Sequence, residues 1–115
     1  MSSQLTLNLL QGSVKFSFSP EAAQNLKGAL TELVANLKAI ATAKSGSGKP
    51  TPQKSTEYQH TGEVFLEVFC NPNIWPSPFA AKLLITLRDE RIRLTTEAEL
   101  TRIMEDVNLY LEENG

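Results

Sequence analysis

Between Glu63 and Cys70 the residue types alternate. Val64, Leu66, Val68 and Cys70 fall on one side of an extended chain, and Glu63, Phe65, Glu67 and Phe69 on the other. Successive side chains of a strand leave on opposite faces, so this period of two predicts a strand with its wholly apolar side toward the core. The β-branched and aromatic content agrees with that reading. On the mixed side, Phe65 and Phe69 need cover, either from the Asn71–Phe79 loop or from another subunit. Lys82–Arg88 repeats the alternation with Leu83, Ile85 and Leu87 together. A tight turn over Arg88–Arg91 then leads to Arg91–Leu94, with Ile92 and Leu94 expected inward. The turn's charges oppose stray pairing at the sheet margin.

Two longer stretches carry the helical period instead. Ser19-Pro20-Glu21 combines a capping side chain, a proline suited to the first helical position and an acid for the first turn. Leu26, Leu30, Leu33, Leu37 and Ala41 follow as a stripe, broadened by Val34 and Ile40, and predict a helix over Pro20–Lys44 wide enough to cover a sheet. Thr96-Glu97-Ala98-Glu99 has the spacing of a capping box and predicts a second helix, Glu97–Glu112. Its stripe is Leu100, Ile103, Met104, Val107 and Leu111, with Arg102 and Asp106 paired on the outer surface. At the start of the chain, Leu5, Leu7 and Leu9 alternate with polar residues, as do Val14, Phe16 and Phe18; Gly12 between them marks a hairpin turn.

Elsewhere the periodicity breaks. Pro72, Pro76 and Pro78 exclude a central strand from Asn71–Phe79. The polar, Gly- and Pro-containing run from Ser45 to His60 predicts a flexible loop at about 45–61 that divides elements but not domains, so residues 1–115 are expected to form a single domain. The fold class expected is α+β: a small, mostly antiparallel sheet with two amphipathic helices packed on one face.

Composition adjusts this picture only slightly. At 115 residues the chain can bury a real core without metal or disulfide. The single cysteine, Cys70, allows no internal disulfide and falls on the core side of its strand. No run is long enough for a membrane helix, and the first residues lack the basic start and apolar core of a secretory signal. A soluble cytoplasmic protein is therefore expected. Net charge is −2 but unevenly shared: residues 1–60 carry 6 Lys and Arg against 3 acids, and residues 61–115 carry 5 against 10. That distribution argues against a broad nucleic-acid surface.

Several motifs fail on chemistry. Gly46-Ser47-Gly48-Lys49-Pro50-Thr51 has the look of a phosphate loop, but Pro50 stands where a magnesium-binding hydroxyl is needed and Ala43 where the first glycine belongs. His60 and Cys70 make no zinc set. Neither a catalytic triad nor a cofactor signature can be built from the spacing. Asn71–Phe79 is the most functional-looking segment, because Ile74, Trp75 and Phe79 offer apolar anchors on a backbone stiffened by prolines.

The expectation is a non-enzymatic protein-interaction or assembly-factor module. Its partner is a protein, a homodimer included, and its partner-binding residues are Ile74, Trp75, Phe79 and Phe65. One alternative is a small enzyme with a polar cleft drawing on Glu63, Glu67 or His60. The other is a single-stranded nucleic-acid module using Lys15, Lys27 or Lys38 with Trp75 and Phe79 as stacking platforms.

Overall fold

The alternating N-terminal segments pair as expected in the computed structural model, which describes residues 3–45 and 52–114. Strands β1 (Gln4–Asn8) and β2 (Ser13–Ser17) form an antiparallel two-stranded sheet of their own. Gly12 turns the chain with φ at +80°, the left-handed region that favours glycine. Helix α1 (Pro20–Ser45) follows, and Ser19 Oγ accepts from the Ala22 amide at 3.1 Å, as the capping pattern predicts. The glycine–lysine motif at 46–51 lies outside the described residues.

The second sheet is a meander of four antiparallel strands in the order β3 (Thr56–Thr61), β4 (Phe65–Cys70), β5 (Lys82–Arg88) and β6 (Arg93–Glu99). A single 3₁₀ turn, Pro72–Ile74, separates β4 from β5, and α2 (Leu100–Asn114) continues directly from β6. Both helices pack on one face of this sheet. Leu66, Val68, Leu83 and Ile85 meet Leu26, Leu30, Leu33 and Leu37 of α1 and Leu100, Ile103 and Val107 of α2 in one core. Leu5, Leu7, Phe16 and Phe18 of the hairpin join it.

The structure differs from the sequence expectation at four places. Residues 56–61, assigned to the loop by composition, form β3 and pair with β4 along their whole length. The expected capping box is not formed, because Thr96 and Glu99 lie in β6, opposite Ile85 and Lys82. Extending the ladder satisfies both chains residue by residue and buries Ala98, so it outcompetes a local cap that would satisfy two amides. Ile92 is 69% exposed rather than inward, since the turn spans Asp89 to Ile92 and β6 begins after it. Asp89 Oδ1 holds that turn by accepting from the amides of Arg91 and Ile92 at 2.8 and 2.9 Å.

Asp106 is the fourth. It is 7% exposed, not on the outer surface, and faces β1. One carboxylate oxygen accepts from the Asn8 backbone amide at 2.7 Å and the other from Asn8 Nδ2 at 2.8 Å. Arg102 Nε approaches at 3.6 Å from the solvent side. Two tyrosines make comparable ties: Tyr110 Oη donates to the carbonyl of Phe18, and Tyr58 Oη to that of Ala22 at 3.0 Å.

Removing the Asp106 carboxylate strands two donors of Asn8 in a part-buried seam. Asp106→Ala should therefore lower unfolding stability by about 2–3 kcal/mol, whereas Arg102→Ala, at an exposed site, should change it by less than about 1 kcal/mol. Urea unfolding monitored by circular dichroism checks both values.

Candidate functional site

Strict alternation that sends Leu66, Val68 and Cys70 to the helices sends Phe65, Glu67 and Phe69 the other way. Strand register lays out the outward face in rows. The first is Thr61, Phe65, Arg88 and Arg93; the second Gln59, Glu67, Thr86 and Thr95; the third Glu57, Phe69, Leu84 and Glu97. Phe65, Phe69 and Leu84 supply the apolar surface, and Leu84 is 44% exposed. The Arg88 guanidinium lies 4.3 Å from the Phe65 ring centroid, an attractive cation–π geometry. Gln59 Nε2 donates to Glu67 at 2.7 Å across the middle row.

The charges of this face are segregated by row. Arg88 and Arg93 stand directly opposite each other on β5 and β6, a like-charge pair that weakens rather than supports the sheet. Glu57 and Glu97 flank Phe69 and Leu84 at the other end. Neither feature helps the isolated fold, and both set up an electrostatic gradient along the strands.

The loop between β4 and β5 does not bring its three anchor candidates together. Trp75 turns to the helix side: it packs partly buried against the core, and its side chain hydrogen-bonds Cys70. Ile74 and Phe79 are 66% and 82% exposed. Phe65 sits at the far end of β4 from this loop, so it belongs to the sheet face and not to the loop cluster. The loop is itself braced, since Asn73 accepts from the Gln53 amide and donates to the Gln53 carbonyl, each at 2.8 Å. Phe69, Leu84, Arg88 and Arg93 complete the face. Alternation already sets Phe69 on the same side as Phe65, whereas only pairing register brings Leu84, Arg88 and Arg93 to them.

The carboxylates of the enzymatic alternative are split. His60 and Glu63 border an open cleft of about 370 Å³ with Ser3, Phe18 and Ser19, while Glu67 is on the opposite side of the sheet. Within the cleft the His60 ring meets the edge of Phe18, with centroids 5.0 Å apart, and Gly62 leaves just enough room for the imidazole. Lys15 lies on β2 and Lys27 and Lys38 on α1, so these lysines are divided between two elements. Among the described residues, no group of three or more His, Cys, Asp or Glu is placed to hold a metal ion, and no helix is long and apolar enough to cross a membrane. No protein-family model, curated protein or solved structure matches the chain.

Burial raises the Cys70 thiol from 9.0 to about 11, the Trp75 hydrogen bond opposing this only in part. Burial likewise raises Tyr58 from 10.0 to about 12. Both groups ionise more easily when unfolded. Their contribution to stability is thus complete below about pH 9 and is lost as pH rises toward 11 to 12. Urea midpoints measured from about pH 8 to about pH 11 should fall, and fall less steeply in Cys70→Ala.

Proposed function

We propose that this protein is a cytoplasmic, non-enzymatic protein-interaction or assembly-factor module whose working surface is the outward face of the four-stranded sheet. One observation carries the reading: Phe65 at one end of that face and Phe69 with Leu84 at the other turn large apolar side chains outward, on either side of the row of Glu67 and Thr86, while the helices, the hairpin and Trp75 gather on the other face. Aromatic side chains beside an arginine are the residue types that dominate binding energy at protein interfaces. Glu57, Glu97, Arg88 and Arg93 supply charge at the two ends of the face. A buried, reduced thiol as the sole cysteine is in keeping with a reducing compartment.

Ile74 and Phe79 extend the exposed apolar surface at the loop end of β4, whereas Trp75 serves the fold. The test is affinity capture from native lysate at controlled salt, comparing the wild type with Phe65→Thr/Phe69→Thr. Threonine keeps strand propensity, so the double variant should retain its circular dichroism and unfolding midpoint. The expected result is loss of at least about 90% of the specific captures, the tenfold effect of deleting a modest hot spot. Recovery of every partner at wild-type levels by a folded double variant sinks the proposal.

A further inference from the structure

We infer that the occupant of this face is a second copy of the chain, stacked sheet on sheet about a two-fold axis that runs across the strands through the row of Gln59, Glu67, Thr86 and Thr95; the inference rests on the interaction reading above. Such a rotation keeps each strand over its own copy and reverses its direction. The row of Phe65, Arg88 and Arg93 then lies over the partner row of Phe69, Leu84 and Glu97. Arg93 faces Glu97, Phe65 faces Phe69, and the Arg88 stem covers Leu84, with every contact made twice.

Charge complementarity singles out this arrangement. Stacking about an axis along the strands would set β3 over β6, bringing Glu57 onto Glu97 and Phe65 onto Arg88. The first pairing is repulsive and occurs twice. Reversing the strands instead places the arginine end over the glutamate end. It also sets the partner's Glu97 beside the opposed Arg88 and Arg93. Sheets stacked face to face cross at about 30°, which displaces the outer rows by about 5 Å, within reach of Arg and Glu side chains. The middle row meets its own copy, and its charge, Glu67, makes the one like-charge contact.

Four strands about 4.8 Å apart and rows about 3.3 Å per residue along them give a face of roughly 400 Å², so the pair buries roughly 800 Å² in projection. That is small beside a standard interface and puts the dissociation constant in the micromolar range or weaker. Light scattering and sedimentation must therefore span about 1 μM to about 1 mM.

The expected result for the full chain is a mass rising with concentration from 12.7 kDa toward its double. Arg93→Glu and Glu97→Arg should each weaken association by at least about tenfold, and their equimolar mixture should restore it, because only the heterodimer pairs opposite charges at both contacts. Glu67→Gln should tighten it. Both swapped positions are exposed on an edge strand, and Arg93→Glu sets a carboxylate opposite Arg88 within the sheet, so unfolding midpoints serve as the folding control.

A wild type that stays at 12.7 kDa throughout, or charge swaps that associate like the wild type, overturns the second copy as occupant. The wider reading fails differently. A monomer whose captured partners still depend on Phe65 removes only the dimer; a dimer that forms equally well in Phe65→Thr/Phe69→Thr removes this face as its seat, and the interaction reading falls as well when that variant also captures every partner at wild-type levels.

Discussion

Burying one row of a strand exposes the next. Leu66, Val68, Leu83 and Ile85 are wholly inaccessible beneath the two helices, and that burial supplies most of the favourable free energy available to the sheet. The same geometry leaves Phe65, Phe69 and Leu84 on the outside, because a one-residue shift of register would turn every inward leucine into solvent. The residues that hold the core thus commit these positions, though not their chemistry, to the outward face. What evolution was free to choose was the identity of those outward residues, and three of them are large and apolar where serine, threonine or lysine would serve the isolated fold.

Polar contacts act on this frame as locators rather than as sources of strength. Asp106 binds both the backbone and the side chain of Asn8, fixing α2 against β1 across nearly the whole length of the sequence. Tyr110 and Tyr58 end on the carbonyls of Phe18 and Ala22, either side of the point where β2 becomes α1. The Asn8 and Phe18 ties satisfy backbone groups at the ends of strands, whereas the Tyr58 hydroxyl adds a second donor to a first-turn helix carbonyl. Their combined effect is to register hairpin, helices and sheet on one another, which apolar contacts alone specify poorly.

Patterns spanning several residues were legible in the sequence. The N-terminal hairpin, the Ser19-capped α1, the inward faces of β4 and β5 and the apolar stripe of α2 were all read from periodicity, and so was the α+β class. Features set by a distant partner were not. β3 reads Thr-Glu-Tyr-Gln-His-Thr, and its inward residues are Thr56, Tyr58 and His60, none of them aliphatic, so an edge strand of this composition is indistinguishable from a loop until β4 pairs with it. Thr96 to Glu99 satisfied every local rule for a helix start and still joined the ladder with β5. Asp106 looked like half of a surface pair because its partner, Asn8, is 98 positions away. Of the four candidate binding residues, Phe65 was placed on the right strand face by alternation, whereas the inward turn of Trp75 depends on Cys70.

The interior, the cleft and the sheet face bear on function in different ways. Cys70 is buried, hydrogen-bonded and hard to ionise, which removes the only thiol nucleophile from the chemistry available near neutral pH. His60 shares its cleft with Glu63, which precedes β4, whereas Glu67 faces outward from β4, so the two carboxylates do not converge. The sheet face has the opposite character: Phe65 stands at one end and Phe69 with Leu84 at the other, its charges are sorted by row, and one arginine already sits over an aromatic ring. Convergence of that kind on a flat surface suits a macromolecular partner, since a small ligand needs concavity to lose its water. The opposed Arg88 and Arg93 point the same way. A like-charge pair on neighbouring strands costs the monomer stability, and a partner anion across the face turns the same pair into a source of orientation and specificity.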